Sequence, residues 1–249
     1  MGDTTEIAWT DSTFNPWWGC AKVSPGCANC YAEALDKRMG GGFWGAGRAP
    51  RLMSASNWNN PLKWNREALQ AGVRRKVFCG SMCDWAAVEG PSSELARLWE
   101  LIRSTPSLDW QLLTKRAERI EALLPEDWGG GYPNVWLGVT VENRVQGIPR
   151  IDALRRIPAR VRFLSCEPLL EDLGKVDLRG MDWVIVGGES GPHARPMSPD
   201  WVSSIQNQCW QQSVPFFFKQ WGGRKDKGGS HLDGEEFKAW PRTREVVDA

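Results

Sequence analysis

The chain has 249 residues, 41% hydrophobic and 24% charged, which suits one large or two small globular domains. A formal net charge of +1 excludes a strongly basic nucleic-acid-binding surface spread over the whole molecule, though not a local basic groove. No apolar run approaches a membrane span, and the N-terminus lacks a signal peptide's basic start and apolar core, so the expected location is the cytoplasm.

In chain order, "EIAW" (6–9) is the first predicted strand. It precedes a loop with Cys20, Cys27 and Cys30 in a C-x6-C-x2-C spacing, three thiols within eleven residues. Apolar side chains at Tyr31, Ala34, Leu35 and Met39 predict a helix that Gly40-Gly41-Gly42 ends. Residues 40–60 are rich in Gly, Asn, Ser and Trp and are expected to form a long functional loop, followed by a helix over 61–71. A rhythm then sets in. Apolar runs at 76–81, 109–115, 134–141, 160–166, 182–188 and 215–220 alternate with amphipathic stretches at 92–104, 117–124, 149–157 and 199–212. Near-continuous apolar strands separated by helices indicate a parallel sheet covered on both faces. The expected fold class is α/β, a partial (β/α)6–7 TIM-like barrel of parallel strands over 1–221 with a small C-terminal appendage over 222–249. A doubly wound sheet is the alternative. Within the appendage, "LDGEEF" predicts a turn between two short strands.

Chemistry in parallel α/β folds collects at the carboxyl ends of strands, and here those ends are polar. They supply Ser81, Cys83 and Asp84; Thr114, Lys115 and Arg116; Thr140, Glu142 and Asn143; Ser165, Cys166 and Glu167; Glu189 and Ser190; and Lys219 with Gln220. Taken singly, Glu142-Asn143 and Glu189-Ser190 are also ordinary helix N-terminal residues, and Lys115-Arg116 an ordinary solvated pair. Six successive polar strand ends beside a three-thiol loop point to an active-site rim.

Seven cysteines and only two histidines favour thiolate-rich metal chemistry over histidine sites. Zinc would need a distant fourth ligand such as Cys79, Cys83 or His193, because no second C-x2-C pair is present. A disulfide with one spare thiol does not suit a reducing compartment. A four-iron cluster held by three thiolates leaves one iron open for a further ligand. The sixteen tryptophans are expected mostly in packing, with Trp17, Trp18, Trp44, Trp58 and Trp85 as candidates to stack on bases and Arg38, Arg48 and Arg51 to meet phosphates.

The segments "WTDSTFNPWWGCAKVSPGCANCYAE", "GSMCDW", "LLTKR", "LGVTVEN", "FLSCEPLL", "VGGESG", "FFFKQWGG" and "LDGEEFKAWP" run through nearly the whole chain in order. Together they resemble the phage-associated three-cysteine-motif family, which looks related to radical S-adenosylmethionine enzymes and to spore photoproduct lyase in particular. The first gap departs from the C-x3-C-x2-C of most such enzymes. The resemblance implies a [4Fe-4S] cluster on Cys20, Cys27 and Cys30, S-adenosyl-L-methionine on the open iron, and an electron donor for the cluster. It also implies a DNA or nucleotide substrate, a thymine-type base that is isomerised or cleaved, flipped from the stack if it lies in duplex DNA. Rim residues for S-adenosylmethionine are Ser81, Asp84, Lys115, Thr140, Glu142, Asn143, Glu189 and Arg195, with Lys115 or Arg195 on the methionyl carboxylate. Cys83, Cys166 and Glu167 are the candidate catalytic residues, either thiol being placed to return a hydrogen atom; as a buried small hydrophobe it would be inert. The competing class is a non-catalytic zinc- or cluster-stabilised nucleic-acid-binding module.

Overall fold

Six of the apolar runs form strands where the pattern places them, and the seventh strand lies elsewhere than expected. The computed structural model describes residues 4–223 and 226–242. Its main strands are β1 (Ser12–Phe14), β2 (Arg75–Cys79), β3 (Leu108–Thr114), β4 (Val135–Thr140), β5 (Val161–Cys166), β6 (Trp183–Gly187) and β7 (Phe216–Gln220). They form one seven-stranded sheet in strictly sequential order. The registers of β1 with β2, β2 with β3, β5 with β6 and β6 with β7 are all parallel. A doubly wound sheet reverses its strand order at a switch point. Sequential order belongs instead to an open (β/α) barrel, the expected class.

The first strand is Ser12–Phe14 rather than residues 6–9. Trp9 is buried against Phe78 at 4.6 Å, but the chain turns at Thr10, whose N–H donates to Ile7 O. The hydropathy pattern hides the true strand because two of its three buried residues are polar. Ser12 Oγ accepts from Arg75 Nε at 2.9 Å, which satisfies it inside.

Helices link the strands: α1 (Tyr31–Arg38), α2 (Ala55–Ala71), α3 (Ser92–Arg103), α4 (Ile120–Leu123), α5 (Arg144–Arg155) and α6 (Pro199–Gln211). Two start earlier than their prolines suggest. Ser54 Oγ accepts from Asn57 N and caps α2, so Pro61 lies inside the helix rather than opening it. Asn143 does the same for α5 through Gln146 N at 2.9 Å, leaving Pro149 internal. The expected 40–60 loop therefore ends at Ser54, and it also carries a two-residue strand, Arg51–Leu52, paired antiparallel with Trp17–Trp18. No helix among the described residues is long and apolar enough to cross a membrane.

The chain divides into two compact units, Met1–Val23 with Ala32–Leu137 and Pro158–Arg160, and Ser24–Tyr31 with Gly138–Ile157 and Val161–Ala249. In the first, tryptophan is structural. Trp17, Trp58 and Trp85 are buried, with Phe14 packed edge-on to Trp58 and Trp110. Of the five stacking candidates only Trp18 and Trp44 keep partial exposure.

In the second unit, one sheet face carries the ring series Phe163, Trp183 and Phe217, with Trp240 stacked on Trp183 at 5.0 Å. Residues 237–239 run along β7, Phe218 N donating to Phe237 O and Ala239 N to Phe216 O, which covers its free edge. The predicted turn is real: His231–Leu232 pairs with Glu235–Glu236 across Asp233-Gly234, both at positive φ. Gly138 lies under the Phe163 ring, and a Cβ there would sit 2.3 Å from it. Gly138→Ala is expected to cost about 1–3 kcal/mol by overpacking, read as a lowered denaturation midpoint in urea.

Candidate functional site

In the first unit the start of the cysteine loop is fixed by the turn that follows β2. Asn15, the residue after β1, accepts from Met82 N at 2.7 Å through Oδ1 and donates from Nδ2 to Ser81 Oγ at 2.9 Å. Gly19 bridges Cys83 in parallel register and donates to Met82 O at 3.0 Å. Its φ of +131° and a Phe43 carbonyl 2.5 Å from any Cβ leave room only for glycine. Cys20 follows directly. Its Sγ accepts from Arg116 Nη1 at 3.6 Å, and Arg116 Nη2 donates to Ala21 O at 2.8 Å.

Arg116 in turn rests on Asp84, with Nη1 2.7 Å from Oδ2 and both side chains nearly inaccessible. Burial opposes its charge, but Asp84 and Cys20 outweigh it and raise the guanidinium's pKa. Asp84 has no acceptor site to spare. Oδ1 takes Thr114 Oγ1 and Ala86 N, and Oδ2 takes Arg116 Nη1 and Lys115 N. Asp84 thus organises the strand ends and, through Arg116, the Cys20 segment. The sequence pattern puts Arg116 on the polar rim or in a solvated pair, and assigns it no partner. Its burial depends on the Asp84 carboxylate reaching it from another strand end, which no local pattern shows.

In the second unit Ser24–Tyr31 carries Cys27 and Cys30. Pro25–Cys27 forms one 3-10 turn, with Cys27 N donating to Ser24 O at 2.9 Å and Ser24 Oγ 3.8 Å from Cys27 Sγ. A clamp holds this segment. Glu189 Oε2 accepts from Asn29 Nδ2 at 2.9 Å and from Arg195 N and Nε, while Arg195 Nη2 donates to Pro25 O at 3.0 Å. Burial would raise the Glu189 carboxyl, but Arg195 and Asn29 outweigh it and hold its pKa below the ordinary value. Glu189 and Arg195 therefore bind the loop, at the Asn29 side chain and the Pro25 carbonyl, and each other. Arg195→Ala is expected to speed amide exchange across residues 25–30 by about tenfold or more, because the clamp loses charge-assisted bonds, while exchange in β5 and β6 stays unchanged.

Glu142 is fully buried. Oε2 accepts from Arg150 Nη1 at 2.6 Å, whereas Oε1 has no hydrogen-bond partner among the described residues. Gly26 backs onto this carboxyl closely enough that a Cβ would lie 3.1–3.3 Å from it. An unpartnered buried carboxylate oxygen against the cysteine-loop turn is a ready acceptor for an ammonium or hydroxyl group. Arg150 Nη1 also donates to Thr140 O at 2.8 Å, and Thr140 itself is buried. Asn143 is the helix cap already described.

The seven thiols fall into two groups. None is in a disulfide: Cys20, Cys27 and Cys30 are partly exposed, and Cys79, Cys83, Cys166 and Cys209 are buried. Burial pushes Cys79, Cys83 and Cys166 up, and Cys209 up to about 12. For Cys83 the charges of Cys79, Cys20 and Asp84 add to burial. Cys166 lines an apolar cavity of about 10 Å³ with Val141, Ile151, Leu164, Val184 and Ile205. Its surroundings are those of a core hydrophobe, whereas Cys83 lies in the turn joined to Gly19, with Sγ 3.9 Å from Asn15 Oδ1. Among the described residues no three His, Cys, Asp or Glu side chains are gathered into a ready metal-holding group. The donor set nonetheless suits an iron–sulfur cluster: three unbridged thiols, one already beside a guanidinium. Glu167 ion-pairs with Lys219 across the strand ends.

Solved spore photoproduct lyases share this fold. A double mutant with bound AdoMet and dinucleoside spore photoproduct matches with a TM-score of 0.50 at 12% identity over 84% of this chain and 63% of that one. A single mutant gives 0.51 at 14% identity with the same coverage. The chain thus spans just under two thirds of the length of those lyases. No curated protein sequence matches it. The chain belongs to the family described as "Protein of unknown function (DUF5131)", matched over residues 4–241.

Proposed function

We propose that the chain is a radical S-adenosylmethionine enzyme in which Cys20, Cys27 and Cys30 hold a [4Fe-4S] cluster and whose substrate is a thymine-type base in DNA or a nucleotide. A cluster held by these thiolates would, with one electron from a donor, supply reductive cleavage of the C5′–S bond of S-adenosylmethionine to methionine and a 5′-deoxyadenosyl radical. The observation that carries the reading is the partition of thiols: the three in the eleven-residue loop are outside any disulfide and partly exposed, and the other four are buried. The fold shared with a lyase solved with AdoMet and a dinucleoside lesion supports it.

The chain's residues take distinct roles. Arg116 orients Cys20 and offsets thiolate charge, while the Glu189–Arg195 clamp holds the segment of Cys27 and Cys30. Glu142 Oε1 accepts from the amino group or ribose of S-adenosylmethionine. Thr140 and Ser81 line the strand ends, and Lys115 pairs the methionyl carboxylate. Of the two candidate hydrogen donors Cys83 is preferred, because Cys166 faces an apolar cavity. Its raised pKa keeps it a thiol, the form that can give up a hydrogen atom. Residues 222–249 act as an appendage rather than as part of the catalytic barrel.

Anaerobic reconstitution tests the cluster. The expected product is brown, absorbs near ~400 nm and carries about four irons per chain, as thiolate-ligated cubane clusters do. A colourless protein that retains one zinc after the same treatment would exclude this function.

A further inference from the structure

The Glu167–Lys219 pair has no task in the account above. Glu167 follows β5 directly and Lys219 lies near the end of β7, with Gly187 of β6 between them. Two features bring the side chains together. Val186 pairs Phe218 but Gly187 pairs Gln220, so Lys219 is the extra residue of a β-bulge, a device that re-aims a side chain. At Gly187 a Cβ would lie 3.3 Å from the Glu167 carboxyl carbon, so the missing side chain gives the carboxylate its space.

Both partners are mostly but not wholly covered, with side-chain exposures of 14% and 16%. The ammonium has three N–H donors and spends one on Glu167 Oε1. The carboxylate keeps Oε2 uncommitted among the described residues. A net-neutral pair does not recruit a bare anion, since a phosphate reaching Lys219 would meet the Glu167 charge. It presents a donor and an acceptor side by side at the rim where ligands bind in such folds.

We propose that Glu167 and Lys219 recognise the Watson–Crick edge of an unpaired nucleobase. In a thymine-type base Lys219 donates to a ring carbonyl and Glu167 accepts from the neighbouring N3–H. This rests on the nucleotide reading given above and names the residues that would read the base. A base already paired in a duplex has this edge occupied, so the site takes a free or flipped base.

The test is nucleoside binding to the reconstituted full chain, with thymidine and N3-methylthymidine as probes and calorimetry as the readout. Methylation removes the one N–H donor, and about tenfold weaker binding than thymidine is expected. Glu167→Ala is expected to collapse that ratio toward one, a change that a merely structural pair would not produce, whereas Lys219→Met weakens both nucleosides alike and keeps the ratio. Equal binding of the two nucleosides, binding of neither, an unchanged ratio in Glu167→Ala, or unweakened binding in Lys219→Met overturns the assignment. The wild-type comparison needs no variant, so misfolding cannot obscure it. Release of 5′-deoxyadenosine, measured in parallel, separates failure of this assignment from failure of the radical reading: base discrimination without release rejects only the latter, and release without discrimination only the former.

Discussion

Cys27→Ala is expected to abolish cluster binding and 5′-deoxyadenosine release while leaving the fold intact. The side chain is partly exposed in a 3-10 turn, and its thiol lies within hydrogen-bond distance of Ser24 Oγ at 3.8 Å. Truncating it removes little packing, so stability should move by no more than about 0.5 kcal/mol. A cubane cluster reduced to two protein thiolates has two open irons and is not retained. Cys209→Ala is the contrasting control. That thiol is fully buried and pushed up to about 12, so its loss should lower stability through packing and leave iron content unchanged. Iron analysis and thermal melting of the two variants give opposite patterns. Wild-type iron in Cys27→Ala would remove Cys27 from the ligand set.

Asp84→Ala is expected to be the most destabilising change at the strand ends. It strands the Arg116 guanidinium, whose side chain is 5% exposed, and frees Thr114 Oγ1, Lys115 N and Ala86 N at once. Breaking one side of a buried pair costs about 3–5 kcal/mol. For a chain of this size that lowers the melting temperature by roughly 6–20 °C. The exposed pair Arg103–Asp127 is the comparison, and its loss should leave the melting temperature close to that of the wild type. Because Arg116 also contacts Cys20, the Asp84 variant should lose iron on dilution faster than the wild type. A melting curve that coincides with the wild type would mean Arg116 is not held by Asp84.

Strands legible from hydropathy were those with apolar side chains on both faces, such as β6, all of whose residues are buried. Ser12–Phe14 was hidden because its buried polar atoms find partners from the next strand. Helix starts moved because Ser54 and Asn143 cap ahead of prolines that sequence reading took as openings. At the site, polar residues at strand ends were visible, but what each one touches was not. Asn143 caps a helix, while Glu189 and Arg195 clamp the loop that carries two of the cysteines. Arg116, the Lys219 bulge and the gap left by Gly187 arise from contacts between strands far apart in sequence. Period-2 and period-3.6 patterns carry no such information.

The most direct test of the central claim is release of 5′-deoxyadenosine from S-adenosylmethionine by the reconstituted, reduced protein under anaerobic conditions. Release above the background of protein without iron, and its absence in Cys27→Ala, is the predicted result. A protein that carries four irons and their absorption yet releases no 5′-deoxyadenosine would contradict the account.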